Sequence, residues 1–508
     1  MLFKARYQAQ IETLVLVTTG LLLSVGGGML MGAGSIPLTF VGLIALAGMV
    51  ALLRPVASLY LVVVAGLVVV GIARLYFPGL EKLQWGVAGL ATLLGGFGLL
   101  SHLFKPVRRL EIPPNSGVLA VLLLLICASS IVNAQSPNQF IYGFKGYFQV
   151  VGLFFAISLL GLSNKALNNL PKLLVAIAMI QLPFVLHQWF VLVPQRVRLG
   201  SGVVAEDVVA GTMGANAVGG GSNAILSILL ITAISIVAAG YKRAQLKPWK
   251  AALIIVVCTV PLLLNSNRIA SLYLFIVFLM IFGPAMFRRI SRFFAGALLT
   301  TLLVAASIWV SLNLGSRAEE YTDWQDLVTT TIERNTAPEI GYGTMELNRL
   351  GSLTFWWNEQ LARPNLQKLL FGSGPGAARE AQDSVLPVKT LASTRYAGVG
   401  IGLTGISTLL WELGIVGLLV VLALHVGAYK SAHYLVTHLG TNPYRQYIAE
   451  GFQAAIVVYA LALFHKNFFV FHIAYQTLFF TVLGTLSAWH FAHHRKEANL
   501  AMEQPARA

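Results

Sequence analysis

Charge is what this chain has least of. Only 11% of its 508 residues are Asp, Glu, Lys or Arg, where a soluble globular protein carries about 25%. Such a surface could not be kept in water, so most of the chain is expected to face lipid or other apolar segments. Cysteine is almost missing. Cys127 and Cys258 both fall within apolar runs, which argues against a disulfide scaffold or a zinc site. Acidic residues are outnumbered, 19 against 35 basic ones, and no acidic pair has metal-like spacing, so no metal and no cofactor is expected. There is no convincing internal repeat. A cleavable signal peptide is not evident either. The basic lead-in Met1-Leu2-Phe3-Lys4-Ala5-Arg6 is read as the start of a first membrane helix that stays.

What is present is hydrophobic sequence, 57% of the chain. Only helices and closed barrels satisfy their own backbone in a bilayer. The apolar runs are about 17 to 23 residues long, the length of membrane helices, not the roughly ten-residue alternating segments of a barrel. The expected fold is therefore an all-α polytopic membrane protein with about 14 transmembrane helices. They are placed at 11–33, 36–53, 56–73, 84–104, 116–132, 147–162, 171–193, 218–240, 250–264, 269–286, 294–313, 405–429, 446–465 and 468–488. Between the eleventh and twelfth lies one large, partly helical polar loop. The division is 1–313, an N-terminal membrane bundle; 314–404, the loop; 405–489, the C-terminal membrane helices; and 490–508, a loose polar tail.

The net charge of +16 does not read as a nucleic-acid surface. Its location follows the positive-inside rule. One set of turns carries Arg54; Lys105, Arg108 and Arg109; Lys165 and Lys172; Lys242, Arg243, Lys247 and Lys250; Arg288, Arg289 and Arg292; Lys430 and Arg445; and Arg495 with Lys496. The other short turns carry only Arg74, Lys82, Lys145, Arg196, Arg198, Arg268 and Lys466. Both termini are thus expected in the cytoplasm and the large loop outside. The loop holds ten acidic and eight basic residues, as a solvated cap would. His490, His493 and His494 lack the acids or cysteines that would make a tail histidine run a metal site.

Several features gather on the loop side. Asn265-Ser266-Asn267-Arg268 breaks two apolar helices and sets a cation at the membrane boundary, either as an anchor or as an anion ligand. Met345 to Ala362 reads as an amphipathic helix, with Leu350, Leu353, Trp357 and Leu361 at helical spacing, Arg349 near its start and Pro364 just beyond it. Trp356 and Trp357 serve there as packing or as a sugar platform. Gly372-Ser373-Gly374-Pro375-Gly376 permits a tight turn or a close approach to a ligand, but lacks the Lys-Ser/Thr ending of a nucleotide P-loop. Glu412 is an acid two turns into an apolar helix, which is either functional or a packing hydrogen bond. The Gly-rich outer loop from Pro194 to Val218, followed by Gly219-Gly220-Gly221, adds Arg196, Arg198, Glu206 and Asp207.

Taken together, Asn267-Arg268, the Asn348-Arg349 to Trp357 stretch, the Leu-Leu-Phe-Gly-Ser-Gly-Pro-Gly turn and Glu-Leu-Gly-Ile-Val-Gly at 412–417 resemble the O-antigen ligase and O-antigen polymerase superfamily of bacterial membrane proteins. That resemblance implies a metal-independent glycosyltransferase of the bacterial inner membrane, with its large loop periplasmic. The donor would be an undecaprenyl-diphosphate-linked glycan and the acceptor a glycan or a second lipid-linked unit. A chain-length regulator and other polysaccharide-assembly proteins would be partners beside the membrane lipids. It implies that Arg268 and Arg349 engage the donor diphosphate, with Arg196, Arg198, Asn267, Trp356, Trp357 and Gly374 near the substrate. Guanidinium forks suit phosphate oxygens on independent grounds. One departure stands out. Ligases of the family carry a histidine shortly before the Glu-Leu-Gly motif, and Tyr396 to Thr408 contains none. Polymerisation is therefore favoured over ligation to an acceptor such as lipid A core. The base for the acceptor hydroxyl would be His465, Glu412, His187 or His472. A transporter of lipid-linked oligosaccharides is the reading from another class, but such proteins have similar halves, and here only one half carries a large loop.

Overall fold

The computed structural model describes residues 54–503 apart from 78–79, 105–111, 199–204, 216–220, 266, 287–289, 314–321, 338, 342–344, 381–387 and 441. The expected helices at 11–33 and 36–53, Ser266 and the pair Gly219-Gly220 lie outside the described residues. Among the described residues no strand occurs. In chain order the helices are α1 (Pro55–Tyr76), α2 (Leu83–Leu103), α3 (Ser116–Val132), α4 (Pro137–Phe148), α5 (Gly152–Leu159), α6 (Asn164–Arg198), α7 (Ser222–Lys242), α8 (Pro248–Leu264), α9 (Ile269–Met286), α10 (Ile290–Asn313), α11 (Trp324–Thr336), α12 (Arg349–Ala362), α13 (Leu366–Phe371), α14 (Gly405–His438), α15 (Pro443–His465) and α16 (Ile473–Glu503). Six of them, α1, α2, α6, α7, α14 and α15, are long and apolar enough to cross a membrane, or seven spans if the bent pair α4–α5 is one. Shorter apolar helices fill the expected segments at α3, α8 and α9. The chain is an α-helical membrane protein.

Helix α7 is the centre of the bundle. It is apolar on every face and buried from Ser222 to Gly240, as a helix surrounded by others must be. Lipid tails are as apolar as leucine, so such helices associate through close packing and hydrogen bonds, not through water exclusion. Thr232 meets Tyr459 of α15 at 2.9 Å. At one end Lys242 and Arg243 pair with Glu450 of α15, tying α7 to α15 where both leave the core.

A second tie joins the loop to the membrane helices. Gly414 has φ 67 and ψ −166, so α14 is two helices meeting at a kink. A kink frees carbonyls that apolar surroundings cannot satisfy. The turn after α13 satisfies them: Ser373 N–H donates to Trp411 O at 2.8 Å and Gly374 N–H to Glu412 O at 3.0 Å. The two backbones interlock. A Cβ at Gly372 (φ +70) would stand 2.3 Å from the carbonyl carbon of Glu412, and one at Gly414 would stand 2.4 Å from that of Leu370. From α3, Ser129 donates to Phe371 O at 2.7 Å and Asn133 to Gly372 O at 3.1 Å.

Helix α12, the turns at 392–401 and the start of α14 share a second, small core. Trp356, Tyr396, Ile401, Leu410 and Trp411 form it, with Phe355 packed alongside. The Tyr396 hydroxyl donates to Glu359 at 2.8 Å. Burial and the Glu359 carboxylate push that phenol up to about 12.

Three expectations change. The helix placed at 147–162 is a bent pair, α4 and α5, meeting at 44°. It starts early because Ser136 caps it and Pro137 sits in its first turn. The amphipathic loop helix begins at Arg349, not Met345, because Asn348 takes the N-cap and accepts from Gly351 N–H at 2.7 Å. The tail thought loose beyond His490 continues α16 to Glu503. There His490 stacks on Tyr434 of α14 at 4.1 Å between ring centroids, and His493 Nδ1 meets the Tyr434 hydroxyl at 3.2 Å.

Gly372→Ala tests the interlock. It forces a left-handed alanine into Glu412 and is expected to cost about 2–4 kcal/mol. Gly398→Ala also has positive φ but meets nothing within 4 Å, so only the backbone term of about 1–2 kcal/mol applies. In thermal unfolding of detergent-solubilised protein, Gly372→Ala should show the larger loss; equal losses would contradict the interlock.

Candidate functional site

The break between α8 and α9 is held by amides. Asn265 donates to Ser227 Oγ at 2.8 Å and accepts from Asn267 N–H at 3.1 Å. Asn267 itself donates to Ser227 at 2.9 Å, and Asn223 to Asn265 O at 3.0 Å. Three polar groups that a broken helix would leave bare are thereby satisfied by the first turns of α7, and a fourth, Asn267 N–H, within the turn itself. Asn267 is thus committed to the fold of the turn.

The same turn delivers Arg268 to α11, where its guanidinium donates to Thr331 Oγ1. Arg349 is the first residue of α12. It donates through Nε to His465 O at 2.8 Å and through Nη1 to Asn335. Thr331 and Asn335 are four apart, on one face of α11, and such positions lie about 5–6 Å apart. Asn335 also donates back to Thr331 O at 2.6 Å. The two arginines, 81 positions apart in sequence, therefore meet neighbouring points of one helix. Arg349 is 7% exposed, so its charge acts in a poorly screened setting. Its field reaches Tyr273 of α9, whose buried hydroxyl has no hydrogen-bond partner.

Beside this pair lies a cavity of about 320 Å³ between α9, α10 and α11. Leu272, Phe275, Val304, Ile308, Leu327, Val328 and Ile332 line it, with the hydroxyls of Ser271 and Thr331. Among the described residues Arg268 is its one charged lining residue.

Other expected residues sit elsewhere. Glu412 is fully buried. It accepts from the Tyr147 hydroxyl at 2.9 Å and from Ala378 N–H at 3.2 Å, so it anchors the turn and does not face the cavity. Gly374 is packed against Gln135, and its N–H is spent on α14, so the turn offers no open phosphate cradle. Trp356 is buried in the loop core, whereas Trp357 is 54% exposed. Arg196 is buried and donates to Ala205 O at 3.2 Å, with Glu206 and Asp207 near it; Arg198 is exposed. His187 is bonded to the Tyr76 hydroxyl at 3.0 Å. His465 is half-buried, and the charges of Arg349 and Lys466 reach it. Its carbonyl holds Arg349, so of the four candidate bases it is the one joined directly to the arginine pair.

Sequence reasoning missed Thr331, Asn335 and Tyr273. For the first two the signal was only a pair of polar residues at helical spacing. Tyr273 was one of two hydroxyls, with Ser271, in the apolar run Ile269–Met286. The chain matches no protein-family model, and no characterised protein matches it in sequence.

The anchoring role of Glu412 has a direct test. Glu412→Ala leaves the Tyr147 hydroxyl and the Ala378 amide buried without a partner, at about 1–3 kcal/mol for each unsatisfied group. Its melting temperature in detergent should fall together with activity. Full stability with activity abolished would make Glu412 a chemical participant instead.

Proposed function

We propose that the chain is a membrane glycosyltransferase that polymerises undecaprenyl-diphosphate-linked oligosaccharide units, with its large loop on the periplasmic face of a bacterial inner membrane. In this reading about 14 helices cross the bilayer and both termini are cytoplasmic. One observation carries it: an apolar cavity whose single charged lining residue among the described residues is Arg268, with Arg349 fastened to the same helix, α11, one turn away. The isoprenoid chain would lie in the cavity. The diphosphate would replace Thr331 and Asn335 as the partner of the guanidiniums, which bind phosphate as bidentate forks.

The chemistry then follows from charge. A sugar hydroxyl of the acceptor attacks the anomeric carbon of the donor glycan. The bond from that carbon to the diphosphate oxygen breaks, and the diphosphate leaves with the electron pair. Arg268 and Arg349 are already in place where that charge develops, so no reorganisation is needed at the moment of reaction. The hydroxyl proton passes to His465, the base joined to the clamp through its own carbonyl. Attack from the face opposite the diphosphate inverts the anomeric centre. Holding both lipid-bound reactants in one membrane supplies much of the rate. The absence of a histidine between Tyr396 and Thr408 favours polymerisation over ligation.

Purified protein given only a lipid-diphosphate oligosaccharide should form a ladder of products. Arg268→Ala and Arg349→Ala should each lower the rate about 100–1000-fold, the usual loss for one stabilising donor. Transfer only to an added acceptor would make the protein a ligase. In cells, carrier-linked units stranded on the cytoplasmic face of the mutants would make it a flippase.

A further inference from the structure

Tyr273 of α9 carries a polar group that the fold does not use. The residue is 2% exposed, and its hydroxyl has no hydrogen-bond partner among the described residues. Three other tyrosines packed as deeply each have one. Tyr147 donates to Glu412 at 2.9 Å, Tyr459 meets Thr232 at 2.9 Å, and Tyr475 donates to Tyr459 O at 3.3 Å. A buried hydroxyl left unbonded has given up water without replacement, which costs free energy. Phenylalanine would fill the same space without that cost. Buried polar groups of this kind are rare enough that each calls for a cause.

Its surroundings point to a ligand. Helix α9 turns the face of Ser271, Leu272 and Phe275 to the cavity. Tyr273 stands on another face, in the main core, where α9 packs on α15. Side chains on a helix lean toward its N-terminus, so the phenol reaches back toward the break that carries Arg268. There it lies within the field of Arg349, whose Nε is fastened to His465 O at the end of α15. The phenol takes no hydrogen bond from that guanidinium. Tyr475 of α16 is also within reach, but its own hydroxyl is engaged by Tyr459 O. A guanidinium only donates. An O–H and a guanidinium drawn together without bonding each other are both served by one acceptor. An anionic oxygen, with several lone pairs and a charge, serves them best.

We propose that the Tyr273 hydroxyl is a further binding group of the same site, donating to an oxygen of the diphosphate that Arg268 and Arg349 clamp. This rests on the reading of that pair as the donor site. The three donors then come from the turn before α9, from α9 itself and from the start of α12. The anionic head is bound on more than one side while the isoprenoid chain lies in the cavity. The hydroxyl adds a directed hydrogen bond and no charge. It stays idle in the free protein and is used only when the anion arrives, so the energy lost in the free protein reappears as affinity.

The test is calorimetric titration of the full chain in nanodiscs with farnesyl diphosphate, together with thermal unfolding of the same samples without ligand. Tyr273→Phe removes only the oxygen. Its melting temperature without ligand should equal or exceed that of the unaltered protein. Its dissociation constant should rise at least about tenfold, equivalent to about 1.4 kcal/mol. Tyr475→Phe breaks a hydrogen bond inside the bundle and should do the reverse, with a lower melting temperature and unchanged affinity. If Tyr475→Phe weakens binding as much, the loss reflects packing and the proposal falls. A Tyr273→Phe protein that melts lower without ligand would show that a buried water already satisfies the hydroxyl, and would overturn the proposal. Undiminished affinity in Tyr273→Phe, with binding lost in Arg268→Gln and in Arg349→Gln, would overturn it too and leave the proposed function standing. No binding by the unaltered protein would overturn both.

Discussion

The structure depends on how the broken helix α14 is completed. Gly414 ends one hydrogen-bonding run inside an apolar bundle, and the carbonyls of Trp411 and Glu412 must find donors. They find them in the turn at 372–376, which enters far enough that Gly372 and Gly414 admit no side chain. The Glu412 carboxylate then fastens the far end of the turn through Ala378 and reaches back to Tyr147 of α4. Loop, central helices and bent pair are thus joined through one small knot of backbone. Its strength comes from the cost of leaving those groups unpaired in a dry setting, which exceeds the net gain of an ordinary hydrogen bond.

That knot fixes the loop core, and the core fixes α12. Phe355 and Trp356 pack on Tyr396 and Trp411, so Arg349, at the start of the same helix, has little freedom of place. Arg268 is fixed independently, by the amides around Ser227. The two meet only because α11 lies across both, with Thr331 for one and Asn335 for the other. A site assembled from α7, α9, α11, α12 and α15 needs each element held by its own ties, and each has them.

Much of this was legible in the sequence. Apolar runs of membrane length marked the six helices long enough to span and the shorter α3, α8 and α9, and the polar stretch 314–404 holds α11, α12 and α13. Arg349 was readable as lying near the start of an amphipathic helix, though that start was placed four residues early at Met345, and Arg268 as a cation at a break. Glu412 was not readable in the same way. An acid in an apolar helix points to function by default, yet here it completes a kink, and the kink exists only once the turn from 40 residues earlier is in place. The glycines of that turn gave the reverse impression, an open cradle, because their partner is a distant helix and not a ligand. The bent pair at α4–α5 hid because Pro137 sits in an amphipathic stretch that reads as loop.

The central claim is that Arg268 and Arg349 form one clamp for the diphosphate of a lipid whose chain fills the neighbouring cavity. The most direct measurement is an electron cryomicroscopy map of the protein in nanodiscs with a non-transferable isoprenoid diphosphate. The account predicts continuous density running from between Leu272 and Ile332 to a diphosphate held by both guanidiniums. Density for the diphosphate against the Lys242–Arg243 end of the bundle, with the Arg268 cavity empty, would contradict it.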